Sequence, residues 1–335
     1  MTPILIPWLE LALCAGLIGL AGPLLVRYGD VIARLTGLTR SWIGLVLLAT
    51  ATSLPELFTG ISSVAVAAVP NIAVGDALGS CVFNLAMIVL LDEMSRDEPM
   101  YRRIDQGHIL TAGFGIVLIG AVGAMILLSR DGLNVQILHI SIYTPLIVVL
   151  YFVAMRAAFT YERRAVAPPP KIERDDVSLR RAVWCYTAAA MVVVAAGTWL
   201  PFIGSDIAAI MGWRTTFVGT LLIAAATSIP ELVVTISALR LKAADMAIAN
   251  LLGSNLFDML VLAVDDVAYI KGPLLSSVSP AHAITAFAAV IMSGIFIVAM
   301  LYKPETRIRG TIGWVSLGIL MVYFFSAYAV YLMGS

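Results

Sequence analysis

Glu56 and Glu231 stand in near-copies of one phrase, Ala49-Thr50-Ala51-Thr52-Ser53-Leu54-Pro55-Glu56-Leu57 and Ala224-Ala225-Ala226-Thr227-Ser228-Ile229-Pro230-Glu231-Leu232. Each phrase lies inside an apolar run long enough to cross a bilayer, where a carboxylate costs about 2.5 kcal/mol or more. A charge kept there twice marks a functional site. The proline beside each glutamate removes a backbone donor and clashes with the preceding turn, which frees carbonyls around Ala49 to Thr52 and Ala224 to Thr227. At membrane depth such oxygens need protein, a wet cavity or a cation. Further along, Asp76, Ser80 and Asn84 are spaced i, i+4, i+8 and share a helix face, and Asn250, Ser254 and Asp258 repeat the spacing. The assembled donors are carboxylates, hydroxyls, an amide and carbonyls, all hard oxygen ligands. Six to eight flexible oxygens suit calcium, the same set can hold sodium, and soft metals are disfavoured.

The elements that position these groups must be membrane helices. The chain of 335 residues is 61% hydrophobic and 13% charged, with a mean hydropathy of +0.97, too little charge to cover a soluble surface. Runs of about 20 apolar residues, enough for a ~30 Å hydrocarbon core, fall near 4–27, 36–67, 71–91, 107–129, 135–159, 180–203, 214–239, 245–270, 281–302 and 310–333. The first has no basic residue before it and is expected to be a retained span. Cys14, Cys81 and Cys185 all fall inside runs without metal-ligand spacing, so disulfide and zinc chemistry are set aside. If the ten spans alternate, 18 of the 21 basic residues fall on one side and only Arg130, Arg214 and Lys271 on the other. The positive-inside rule then puts both termini outside and the 160–180 loop in the cytoplasm of a multi-pass cell-membrane protein. The charges serve topology, and nothing in them points to nucleic acid.

Residues 160–181 are the one strongly polar stretch, and Pro168, Pro169 and Pro170 favour an extended linker there. It divides the chain into a first half (1–159), a linker (160–180) and a second half (181–335). Between Gly37 and Leu57, ten of 21 positions are identical to those 175 residues later. Gly79-Ser80-Cys81-Val82-Phe83-Asn84 matches Gly253-Ser254-Asn255-Leu256-Phe257-Asp258 at an offset of 174. Five spans per half is odd, so the second half enters from the opposite face. The expected fold is all-α, ten transmembrane helices as two inverted five-helix repeats, with the site near the midplane between them.

The paired motifs at 49–84 and 224–258 resemble the two alpha repeats of the cation/calcium exchanger superfamily, and specifically its sodium/calcium exchanger branch. The resemblance implies that Glu56 and Glu231 are central calcium ligands, completed by the carbonyls of Thr52 and Thr227. It implies flanking sodium sites lined by Ser53, Ser80, Asn84, Ser228, Ser254 and Asp258, with the carbonyls of Ala49 and Ala224. Calcium and sodium would compete for shared glutamates, giving antiport with no cofactor, the two ions being cargo. The chain departs from the family at Gly75-Asp76 and Ala249-Asn250, where Gly-Asn is usual, and at Cys81, where asparagine is usual. Asp76 is read as an accessory carboxylate that aids cation capture from outside. Proton coupling or potassium co-transport on the same fold, and a transport-dead calcium sensor, are the competing readings. No Ser/His or HExxH arrangement supports a hydrolase, and no phosphate loop supports a primary pump.

Plainer readings apply elsewhere. Asp92-Glu93 and Asp265-Asp266 close the third and eighth runs and read as solvated span ends. His108, His139 and His282 lie near span ends and read as interfacial. Gly113, Gly115, Gly120 and Gly123 fit close helix packing. Small-residue faces at Gly16, Gly19, Gly22, Gly197 and Gly204 would let spans 1 and 6 slide.

Overall fold

A backbone inside hydrocarbon must satisfy its own N–H and C=O groups, so apolar runs of this length fold as helices. The computed structural model describes residues 5–36, 49–95, 100–102, 104–129, 135–164, 177–240, 244–304, 307–308 and 312–334. The first half holds α1 (Leu5–Thr36), α2 (Ala49–Thr52), α3 (Leu54–Ala65), α4 (Pro70–Met94), α5 (Gly107–Leu128) and α6 (Tyr143–Arg164). The second holds α7 (Leu179–Met211), α8 (Thr215–Thr227), α9 (Ile229–Arg240), α10 (Ala244–Ala268), α11 (His282–Tyr302) and α12 (Trp314–Met333). Two short antiparallel hairpins, Gln136–Ile137 with Ile140–Ser141 and Arg307–Ile308 with Ile312–Gly313, and 3-10 turns at Met100–Arg102 and Leu274–Ser276 join them.

Among the described residues, eight helices are long and apolar enough to cross a bilayer, and α8 with α9 makes a ninth as one span bent by 43°. The run expected at 36–67 is represented by α2 and α3. Residues 37–48, and with them most of the Gly37–Leu57 repeat, lie outside the described residues, as do 165–176 of the proline-bearing segment. α1 and α7 outrun their expected ends, reaching Thr36 and Met211 across Pro23 and Pro201. Membrane helices tolerate such prolines because neighbouring groups satisfy the freed backbone. Gly212, at φ 66°, closes α7 with its N–H on the Ala208 carbonyl, the left-handed cap that glycine accepts without strain.

The two helices carrying the polar triads are the most enclosed. In the most apolar stretch of each, 83% of α4 and of α10 is buried, against 22% for α12 and 28% for α6. Leu20, Trp184, Val298 and Phe325 point outward from the surrounding helices, as lipid-facing surfaces do. α4 crosses α8 backbone to backbone. A Cβ at Gly79 would strike the Thr220 carbonyl oxygen and the Ala224 methyl, and one at Gly219 would lie 2.9 Å from the Ile72 Cα. Gly75-x-x-x-Gly79 is thus a small-residue crossing. The glycines expected to do this in α5 mostly do not: only Gly123 meets a close neighbour, the Ala286 methyl 3.0 Å from its added Cβ, while Gly113 and Gly115 have room for a side chain.

Loops fold back over the span ends and overturn two expectations. Of the four terminal acids, Glu93 is exposed but Asp92, Asp265 and Asp266 are buried. Asp92 accepts a hydrogen bond from Ser316 Oγ (2.8 Å). Asp266 accepts from Ser141 N (2.9 Å), from Leu274 N (2.7 Å) and from the Thr144 hydroxyl, tying a hairpin, a 3-10 turn and α6 together. His282 is fully buried rather than interfacial. Its Nε2 lies 3.2 Å from Asn71 Oδ1, which also accepts from Ser279 N (2.7 Å), so segment 269–281 is fastened to the start of α4. His108 and His139 do lie at span ends, near Asp245 (3.1 Å) and the Val267 carbonyl (2.9 Å).

Candidate cation site

The Pro-Glu phrases fold into two breaks of the same shape. Ser53 has φ −87° and ψ 13°, and Ser228 has φ −80° and ψ 11°. In each, the serine N–H reaches back to the alanine carbonyl (Ser53 to Ala49 and Ser228 to Ala224, both 3.0 Å), and the next bond skips to the serine carbonyl itself (Leu57 to Ser53 and Leu232 to Ser228, both 3.2 Å). Among the described residues, no backbone bond across either break lands on residues 50–52 or 225–227. Proline supplies one such loss, since Pro55 and Pro230 have no N–H to offer Ala51 and Ala226. The carbonyls of Thr52 and Thr227 are therefore spare, whereas those of Ala49 and Ala224 already hold a backbone donor and keep one lone pair or none. Thr52 Oγ1 also lies 3.2 Å from the Ala49 oxygen.

The two halves exchange partners at the glutamates. Glu56 Oε1 accepts from Ser80 Oγ (3.3 Å) of its own half and from Ser228 Oγ (3.4 Å) of the other. Glu231 Oε1 accepts from Ser254 Oγ (3.2 Å) of its own half and from Ser53 Oγ (3.3 Å) of the other. Ser228 Oγ also lies 3.1 Å from Ser80 Oγ, and Thr52 Oγ1 lies 3.4 Å from Ser254 Oγ. Both glutamates are at most 1% exposed. In each, Oε2 has no partner at all. A buried carboxylate oxygen left bare is costly, and one on each of two glutamates that take serines from both halves marks a place for a positive charge.

The second layer repeats the exchange with one substitution. Asn84 Nδ2 donates to Asn255 Oδ1 (3.0 Å), whose own amide donates to the Cys81 carbonyl (3.3 Å). By the repeat, Asn84 corresponds to Asp258 and Asn255 to Cys81. The mirrored contact duly appears as Cys81 Sγ against Asp258 Oδ2 (3.6 Å), a weak thiol donor where the other half has an amide. Asn84 Oδ1 and Asp258 Oδ1 remain bare and buried. Asp76 accepts from Thr227 Oγ1 at 2.8 Å through Oδ1 and leaves Oδ2 bare. Its counterpart Asn250 is buried with neither amide atom partnered. Asn255 was missed as a functional candidate by residue type alone, although it lies inside the matched Gly-Ser-x-x-x-Asn/Asp phrase. The structure thus gathers the paired motifs into two crossed clusters, Glu56 with Ser80 and Ser228, and Glu231 with Ser53, Ser254 and Thr52. Thr227 instead turns its hydroxyl to Asp76 and lies near the Ile223 and Ala224 carbonyls, and Asn84 and Asp258 meet Asn255 and Cys81 across the α4–α10 contact.

Among the described residues no three of His, Cys, Asp and Glu form a metal-binding cluster. A cation here would rest on the glutamate pair together with hydroxyl, amide and backbone oxygens, a hard donor set of the kind calcium and sodium take. The long helices lie against the breaks in the same exchanged fashion. A Cβ at Gly22 of α1 would come within 2.8 Å of Pro230, and one at Gly197 of α7 within 3.0 Å of the Pro55 carbonyl oxygen.

The sequence and fold both have relatives. A family model described as sodium/calcium exchanger protein matches residues 6–161 and 181–334. The sodium/calcium exchanger MaX1 of Methanosarcina acetivorans is 25% identical over 275 residues, 73% of this chain and 78% of that protein. The inner membrane protein YrbG of Escherichia coli is 26% identical over 243 residues, 71% of this chain and 72% of that protein. A solved structure of the sodium-calcium exchanger NCX_Mj, soaked with 2.5 mM Na+ and 10 mM Sr2+, superposes with a TM-score of 0.65 at 20% identity, over 97% of this chain and 99% of that one. Fold, membrane helices and family model agree: the chain belongs to the sodium/calcium exchanger protein family of membrane transporters.

Proposed function

We propose that this protein is a secondary antiporter that exchanges calcium for sodium by alternating access, built as ten spans in two inverted five-helix repeats (1–159 and 181–335). Calcium sits between Glu56 and Glu231 with the carbonyls of Thr52 and Thr227. Sodium ions occupy the flanks formed by Ser53, Ser80, Asn84, Ser228, Ser254 and Asp258, with Ala49 and Ala224 contributing carbonyl oxygen. Both termini lie outside, and the 160–180 linker is cytoplasmic. The observation that carries the reading is the crossed serine pairing, which uses up one oxygen of each glutamate and leaves the other bare. One calcium ion, or sodium ions sharing the same two carboxylates, would neutralise that pair, so the two cargoes exclude each other.

The packing of α1 and α7 supports alternating access. Each lays a glycine on the proline break of the opposite half, so sliding the α1–α7 pair would open one flank of the site as it closes the other. The coupling ion is tested by calcium-45 uptake into proteoliposomes under outward sodium, proton or potassium gradients. Uptake that requires sodium is expected, and uptake driven by a proton gradient alone would move the protein to proton coupling. Asp76→Asn keeps an acceptor for Thr227 while removing a charge. It is expected to weaken apparent calcium affinity about 3- to 10-fold, roughly 0.7–1.4 kcal/mol, in the same assay. Unchanged affinity would leave Asp76 a packing group only.

A further inference from the structure

Asp265 is the least satisfied charge-bearing group among the described residues. It is 0% exposed, and neither carboxylate oxygen has a hydrogen-bond partner. Its neighbour Asp266, by contrast, gathers two backbone donors and a hydroxyl. Asp265 leans on α3 at Gly60, where a Cβ would fall on both carboxylate oxygens. Gly60 is one turn beyond Glu56 on the same helix. The repeat gives no counterpart for this arrangement: the positions matching Asp265 and Gly60 in the other half are Leu91 and Thr235.

Depths along the helices put this carboxylate in line with the site. At 1.5 Å per residue, Asp265 lies about 5 Å from the Ala268 end of α10, and Asp258 about 15 Å from it. Measured from the same end of the bundle, Asp76 lies about 9 Å past the start of α4 at Pro70, and Glu56 about 14 Å before the end of α3 at Ala65. The Gly60 contact and the Asn71–Ser279 bond show that these helix ends coincide. Asp76, a step deeper than Asp265 by this measure, is tied to the second break through the Thr227 hydroxyl (2.8 Å). The carboxylates therefore descend as a ladder: Asp265 nearest the membrane face, then Asp76, then the glutamate pair near mid-depth.

The geometry points to an outlying cation station formed by Asp265 and Asp76, which holds a calcium-class divalent cation between the membrane face at segments 66–69 and 269–281 and the midplane site. Gly60 has no side chain because the Asp265 carboxylate takes that space. Bare oxygens on Asp265 and on Asp76 (Oδ2) supply negative charge from two different helices, which a partly hydrated divalent ion can bridge. This station rests on the transport reading above and adds a side to it: the ion meets Asp265 from one face of the membrane only.

The test compares wild type with Asp265→Asn, an isosteric change that keeps the packing at Gly60, in proteoliposomes with calcium titrated separately from each face. The apparent calcium affinity from the 269–281 face is expected to weaken about fivefold or more, with less than a twofold change from the opposite face and little change in maximal flux. No change from either face would overturn the station, as would equal weakening from both, since the residue would then act on the midplane site. If wild type carries no calcium at all, the transport reading is what fails. The station is then read from Tb3+ luminescence of the full-length Glu56→Gln protein in detergent: emission that disappears on adding Asp265→Asn supports it, and emission that persists rules it out.

Discussion

Glu56→Gln and Glu231→Gln, each made alone, are expected to bring calcium uptake below detection and to weaken calcium binding about 100-fold or more. Glutamine keeps the size of the side chain and an amide oxygen to accept from the paired serines, Ser80 and Ser228 at Glu56 or Ser53 and Ser254 at Glu231. What it removes is the charge on the one oxygen that no protein group satisfies. Losing one partner of a buried charge pair costs about 3–5 kcal/mol, and each 1.4 kcal/mol is about tenfold in affinity. The crossed pairing also predicts that the two variants behave alike, because neither glutamate is served by its own half alone. Thermal melting in detergent separates this from misfolding: the variants should melt close to wild type in the absence of calcium. A variant that keeps more than about a tenth of wild-type uptake would count against the paired-glutamate site.

Gly79→Val is expected to prevent accumulation of folded protein. At this position α4 runs against the backbone of α8, and even a methyl group would meet the Thr220 carbonyl oxygen and the Ala224 side chain. Overpacking a tight core costs about 1–3 kcal/mol, and more when the obstacle is backbone. Gly79→Ala is the graded version, expected to lower detergent melting by that smaller amount. It should also weaken calcium binding, because the residue pushed aside, Ala224, opens the break that leads to Ser228 and Glu231. Fluorescence-detected size exclusion and a melting series measure both variants. Wild-type stability for Gly79→Val would mean that the α4–α8 contact is looser than the structure has it.

The sequence carried the site's composition further than its wiring. The Pro-Glu phrases and the i, i+4, i+8 triads announced which residues would face one another, because buried carboxylates and hydroxyls in apolar runs have few other uses. That Ser53 serves Glu231, and Ser228 serves Glu56, depends on how the two breaks interleave, and no local pattern encodes it. The same holds for Asn255: only the contact between α4 and α10 sets it against Asn84 and the Cys81 carbonyl. The π-helical turn Val218–Ile223 leading into the second break has no signature in hydropathy, yet such turns often sit beside functional segments. Acids at span ends were read as solvated because hydropathy sees the run and not the loops. The 3-10 turn at Leu274–Ser276, the 136–141 hairpin and Ser316 of α12 fold over those ends and give Asp266 and Asp92 their partners. Glycines in α5 were read as packing contacts from composition, whereas the close approaches fall at Gly75, Gly79 and Gly219 in α4 and α8.

Anomalous diffraction from crystals soaked in strontium tests the central claim most directly, because it places the ion rather than inferring it from flux. The account predicts a peak between the two glutamates, in direct coordination with Glu56 Oε2 and Glu231 Oε2, at distances slightly longer than the roughly 2.3–2.6 Å of calcium, with the Thr52 and Thr227 carbonyls in its shell. A peak bound by other groups, or none between the glutamates at saturating strontium, would contradict it.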